Sequence, residues 1–383
     1  MRTRFVAACA LALALLGLFS VNLSAQSVPK SISTGGTDAA MREQKNAWTV
    51  GIVGGLFTGT YMRLVNDMAS ALNDGDNLRI LPIVSYGAAA NLDDLLYLHG
   101  VDAAITQSDV FEYFRTVRKT ANLDSRVQYI TRLPISELHI LARDDVHSLA
   151  DLRGKKVNFG PAGTGASLTG TIVFQRLGIT VNQVMIDQSS ALQKLKDGEI
   201  DAIARVIPKP VDFFSRIPPN SGLHLVNIPF TSMFADHYTL GEFTKQDYPN
   251  LLDGKDRIDT IAVPAVLAVF NWPTDTDRYR KVARFVQYLF NNFSKLQQPP
   301  YHPKWRDVNL AATVPGWTRF GVAQDMLDRL EKQNGTEAQQ QIDFDAYLKT
   351  QSHLPETDAE RQALFKNFLQ WRDQQQAHAA QKN

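Results

Sequence analysis

Residues 155–165 read Lys155-Lys156-Val157-Asn158-Phe159-Gly160-Pro161-Ala162-Gly163-Thr164-Gly165. A short strand (155–159) runs into a Gly-rich loop (160–165). A helix follows, with Leu168, Ile172 and Leu177 as its inward face and Gly178 just past its end. The same grammar stands roughly 100 residues earlier. There a strand (48–53) is broken by Gly54-Gly55-Leu56-Phe57-Thr58-Gly59. The next helix places Tyr61, Leu64, Val65, Met68 and Leu72 on one face.

Each block then continues alike. The first adds a strand (78–84), a helix (91–98) closed at Gly100 and a strand (102–106). The second adds a strand (184–186), a helix (191–196) closed at Gly198 and a strand (200–204). The block ends nearly match: Leu95, Gly100, Asp102-Ala103 against Leu195, Gly198, Asp201-Ala202. Strand–loop–helix–strand–helix–strand, written twice, predicts an α/β fold of two similar lobes with a ligand cleft between them. The alternative is that two ordinary α/β units merely look alike.

Residues 135–143 and 259–270 are apolar, strand-like stretches expected to cross between lobes. Lobe 1 is then 47–135 with about 236–300, and lobe 2 is 136–235. Tyr279, Val282, Phe285, Leu289 and Phe293 predict an amphipathic helix over 276–293. Residues 301–383 form a helical C-terminal extension, with Leu364, Phe365, Phe368 and Leu369 on one stripe.

The chain has 383 residues, a length that suits two domains. It is 44% hydrophobic and 21% charged, ordinary values for a globular protein. Forty basic and 39 acidic side chains leave a net charge of +1, with no electrostatic footprint for nucleic acid. Arg2 and Arg4 precede an unbroken apolar or small run (5–19), and Ser24-Ala25 supply small residues before Gln26. That is a secretory signal peptide over 1–25, too short for a membrane span. Its removal takes away Cys9, the single Cys, and brings the net charge to −1. Residues 26–46 read as a flexible N-terminus, and the mature chain as a soluble monomer of the periplasm.

Both Gly loops put free backbone N–H groups and Thr hydroxyls at a helix N-terminus, an anion site. Neither has G-x-G-x-x-G spacing or a P-loop ending, and a plain tight turn is the alternative reading. Beyond the strand ends, where ligands sit in open α/β sheets, the candidate ligand-binding residues are Gly55, Thr58, Gly59, Thr60, Tyr61, Ser85, Tyr86, Gly87, Gln107, Ser108, Asp109, Gly163, Thr164, Gly165, Ala166, Ser167 and Arg205. Ser108 or Asp109 could equally cap a helix. Arg205 could fork onto a carboxylate or bridge to an acid of the other lobe. No G-x-S-x-G elbow and no paired metal spacing occurs, so neither catalytic nor metal residues are expected.

These motifs, with Leu149-Ala150-Asp151-Leu152-Arg153-Gly154-Lys155-Lys156-Val157, resemble the TAXI-type solute-binding proteins of TRAP transporters, over about residues 48–270. The chain departs from that pattern at Tyr86-Gly87-Ala88, Gly163-Thr164-Gly165-Ala166 and Ile207-Pro208-Lys209-Pro210. The resemblance implies a two-lobed periplasmic binding-protein fold and no enzymatic activity or cofactor. It implies a small solute, a carboxylate or amino acid, handed to membrane transporter subunits. A receptor for an ABC importer or sensor kinase is the near alternative. An exported hydrolase using Ser108 or Ser167 is the distant one.

Overall fold

The computed structural model describes residues 38–348 together with Phe368. The expected signal peptide, Leu364, Phe365 and Leu369 lie outside the described residues. Ten strands form one mixed sheet: β1 (Thr49–Gly55), β2 (Arg79–Val84), β3 (Ala103–Gln107), β4 (Val127–Arg143), β5 (Lys156–Asn158), β6 (Asn182–Val184), β7 (Ala202–Ile207), β8 (Leu223–Leu225), β9 (Thr239–Thr244) and β10 (Arg257–Phe270). The helices are α1 (Asp38–Ala47), α2 (Thr60–Leu72), α3 (Ala88–Tyr97), α4 (Ser108–Thr116), α5 (Leu123–Arg126), α6 (Gly165–Arg176), α7 (Gln188–Lys196), α8 (Asp212–Ser215), α9 (Asp277–Asn291), α10 (Phe293–Leu296) and α11 (Gly321–Leu348).

The strand order is β2-β1-β3-β10-β4-β7-β5-β6, with β8 on β4 and β9 on β10. β1 pairs parallel with β2 and β3, and β5 pairs parallel with β6 and β7. Each trio is a half-sheet covered by helices, the arrangement that βαβ units produce. Two long antiparallel strands, β4 and β10, join the halves.

The apolar packing divides where the crossing strands change sides. One set of cores takes strand residues up to Leu133 and resumes at Ala265. The other runs from Leu138 to Val263. Pro264 sits at the change, opposite Ile135, and the ladder register shifts beside it. Proline lacks the N–H that a regular ladder needs. Phe243, Tyr248 and Ile258, placed in lobe 1 by the sequence reading, pack in the second set. Trp305, Phe320, Ala323 and Met326 pack in the first core beside Val282, Phe285 and Leu289 of α9, so the 301–383 segment begins inside that core.

Three local expectations change. Residues 38–46 are helical, within α1, and not flexible coil. The run Ala39-Ala40-Met41-Arg42-Glu43 is made of helix formers without Gly or Pro. On α6 the buried side is Ala166, Ser167, Thr169, Gly170, Val173 and Phe174, while Leu168, Ile172 and Leu177 are half-buried. Small residues there let the helix lie close to Phe159, whose ring leaves no room for a Cβ at position 170. Arg205 lies within β7, opposite His139, and not beyond the strand's end.

Candidate functional site

A cleft of about 110 Å³ opens between the half-sheets, at the carboxyl ends of the parallel strands. Its walls are helix beginnings. The first half supplies Gly59, Thr60 and Tyr61 at the start of α2, Gly87 and Ala88 at the start of α3, and Gln107 from the end of β3. The second supplies Thr164, Gly165 and Ala166 at the start of α6, Gln188 opening α7, and Arg205 to Pro208 from β7. A parallel strand that turns directly into a helix delivers that helix's free N–H groups to the sheet's carboxyl edge. Gly59 and Gly87, the N-cap residues of α2 and α3, provide no side-chain cap. The dipoles of α2, α3 and α6 turn their positive ends toward the cleft, while the Asp187 carboxylate caps α7.

Among the described residues, Arg205 carries the only charged side chain on the cleft wall. Its guanidinium lies over the Phe213 ring, 5.0 Å from the centroid. No ion pair or side-chain hydrogen bond engages it among the described residues. Burial pushes its pKa down from the ordinary guanidinium value, the signature of a cation held from water without an acidic partner. Gln107 is fully buried beside the Tyr61 hydroxyl, and neither its Oε1 nor its Nε2 completes a hydrogen bond of good geometry; nor does Gln188 Oε1. Tyr61 donates to or accepts from Ser136 Oγ at 3.1 Å, and burial raises its phenol pKa.

Of the seventeen candidates, the cleft brings together Gly55, Gly59, Thr60, Tyr61, Tyr86, Gly87, Gln107, Thr164, Gly165, Ala166 and Arg205. The others lie elsewhere. Thr58 is solvent-exposed. Ser85 hydrogen-bonds Asn91 and accepts the Gly87 N–H at 3.2 Å, fixing the entry to α3. Ser167 Oγ donates to Thr164 O at 2.8 Å, while Thr164 Oγ1 accepts the Ser167 N–H at 3.1 Å, so this pair caps α6. Gly163 turns its carbonyl to the other half, where it accepts the Ala89 and Ala90 N–H groups, each at 3.2 Å. The α3 start is therefore occupied by protein. Asp109 accepts from Thr169 Oγ1 at 2.6 Å and Tyr238 Oη at 3.1 Å, a buried bolt between the halves, and burial raises its pKa. Ser108 lines a separate cavity with Arg132, His237 and Trp317.

Gln188, Val206, Ile207 and Pro208 line the cleft and were not among the candidates. Gln188 follows a strand of the second block, so the strand-end rule could have found it. Gly165 earns its place differently from expectation: a Cβ there would meet Gln107 Oε1 at 2.1 Å. Glycine is needed for the approach of the two halves.

An α/β sheet in two halves, crossed by two long strands and enclosing a cleft at the strand ends, is the architecture of periplasmic solute-binding proteins. The model of the NMT1-like family matches residues 52–316, more than half of the chain, and the protein belongs to that family. Among solved structures, an ancestral arginine-binding protein bound to arginine is similar at 15% identity and a TM-score of 0.40, covering 65% of this chain and 96% of that one. A TctC solute-binding protein from Polaromonas without ligand gives 17% and 0.35, over 64% and 88%. The sulfonate-binding protein SsuA from Methylobacillus flagellatus gives 11% and 0.37, over 66% and 69%.

Proposed function

We propose that this protein is an extracytoplasmic receptor that captures a small carboxylate-bearing solute and presents it to a TRAP-type secondary transporter, as the resemblance to TAXI-type proteins implies. One observation carries the ligand class: Arg205, a half-buried cation on the cleft wall with no acidic partner among the described residues. A partly desolvated charge without a partner is unfavourable, and a carboxylate would satisfy both forks of the guanidinium. Helix beginnings around it add to the same field.

The two half-sheets then serve as lobes, and β4 and β10 as the segments that bend on opening. The expected signal peptide places the receptor in the periplasm. The hydrolase alternative loses support at Ser167, whose hydroxyl is spent on a helix carbonyl. Ser108 Oγ shares a cavity with His237 but makes no hydrogen bond to it.

Thermal-shift screening of the mature protein against organic acids and their primary amides tests the reading. A ligand present at 100 times its Kd stabilises by about 2.7 kcal/mol. Acids should raise the melting temperature and their amides should not. Equal shifts for acid and amide would remove the carboxylate from the proposal.

A further inference from the structure

The cleft holds a second constraint on its ligand, which rests on the carboxylate reading: a lining without acidic side chains, with uncharged acceptors left open. None of the lining residues is Asp or Glu. The nearest acid by position in the chain is Asp187, immediately before Gln188; its carboxylate caps α7, accepting the Ser189 and Ser190 N–H groups, each at 3.0 Å. The next is Asp109, two residues beyond Gln107. It is engaged by Thr169 and Tyr238, and lines a different cavity with Tyr113, Ile172 and Arg176. An α-ammonium brings a unit positive charge and three donors. In this cleft it would meet Arg205 and the helix N-termini of α2 and α6, all of one sign with itself. No lining side chain could neutralise it.

The open polar atoms describe what would fit instead. Gln107 offers a buried acceptor and a buried donor side by side, near the Tyr61 hydroxyl, and Gln188 offers a buried acceptor; none of the three completes a hydrogen bond of good geometry. A buried amide left unpaired loses its hydration for nothing in return. A ligand satisfies it by bringing a neutral O–H or N–H donor beside an acceptor. We infer that the cleft selects small acids carrying a neutral hydrogen-bonding group, a hydroxyl or an amide, and rejects α-amino acids, with Gln107 as the specificity-determining side chain.

Calorimetry at pH 7 on the mature protein tests this with matched sets: lactate, propionate, alanine and lactamide; then 2-hydroxyglutarate, glutarate, glutamate and glutaramide; then mandelate, phenylacetate, phenylglycine and mandelamide. In the set that binds, the hydroxy acid should bind about tenfold tighter than the plain acid, and the amino acid at least about tenfold weaker than the hydroxy acid. Gln107→Leu should reduce the preference for hydroxy over plain acid to about one. It removes an unpaired amide without changing the site's bulk greatly, so its unliganded melting temperature should hold. An amino acid binding as well as its hydroxy acid, or a Gln107→Leu protein that keeps the preference, overturns the inference while the carboxylate reading stands. Amides binding as well as hydroxy acids overturns the carboxylate reading itself. Silence across all three sets overturns both.

Discussion

On the proposed reading Arg205 selects the cleft's ligand, and its environment bears on two readings that spacing alone left open. An inter-lobe salt bridge needs an acid near it, and none engages it among the described residues. The Phe213 ring lies 5.0 Å from the guanidinium carbon and holds the cation by its face. Arg205→Ala should therefore cost acid ligands on the order of 2–4 kcal/mol. Arg205→Lys keeps the charge but loses the fork, and affinity should still fall clearly. Calorimetry with a matched acid and amide checks this; equal losses for both would return Arg205 to a closure role. Residue types and strand ends made Arg205, Gln107 and the Thr164–Ala166 turn legible in the sequence. What Gly163, Gly165 and Asp109 do was not legible there. Each is explained by an atom of the other half: the Ala89 and Ala90 N–H groups, Gln107 Oε1, and the Thr169 and Tyr238 hydroxyls. Sequence places a residue at the cleft edge, but not the partner that reaches it from across the cleft.

Among the elements, β4 holds the most unusual chemistry. Glu137 and His139 are two apart on this crossing strand, both buried, so they share a face. Burial pushes the Glu137 carboxyl from 4.5 up to about 7, despite the Lys209 N–H it accepts at 2.9 Å. Burial holds the His139 imidazole from 6.5 down to about 3; its ring bonds Glu137 O and Tyr248 Oη and stacks on Phe214 at 4.6 Å. The two act oppositely on stability. A carboxyl with a raised folded pKa binds more protons folded than unfolded, so its contribution is full below 4.5 and is lost as pH rises through 7. A histidine with a lowered folded pKa binds fewer protons folded, so its contribution is present above 6.5 and is lost as pH falls toward 3. Between pH 5 and 7 the slopes nearly cancel. Glu137→Gln leaves the histidine slope uncompensated. On acidification from pH 7 to 5 the variant should lose on the order of 2 kcal/mol relative to the parent protein. Urea melts at the two pH values measure it, and parallel behaviour of the two proteins would contradict the burial of Glu137. The strand itself was visible in the sequence only from 135. The stretch 127–134 is broken by polar Gln128, Thr131 and Arg132, and its pairing with β10 settles it as strand.

At the scale of the whole molecule, the two halves are held together by contacts that a binding protein must break to release its solute. Asp109 with Thr169 and Tyr238, Gly163 with the start of α3, and Gln107 against Gly165 all join the half-sheets. Only β4 and β10 run between them as long strands, and both change cores between residues 133 and 138 or 263 and 265. A bend confined there would open the cleft without disturbing either set of cores. The closed arrangement has a cost that the ligand removes: Gln107 is buried with its amide unsatisfied, and Arg205 is partly desolvated without an acidic partner among the described residues. Without solute the balance should shift toward an open form, and with it toward this one. Solution scattering should show a smaller radius of gyration with a bound acid than without. Asp109→Leu deletes one inter-half contact while leaving the cleft wall intact. It should enlarge the ligand-free radius, and restore the compact one only at higher acid concentration. A radius that stays constant through saturation, with binding confirmed by calorimetry, would mean that β4 and β10 do not bend and that the solute enters a rigid cleft.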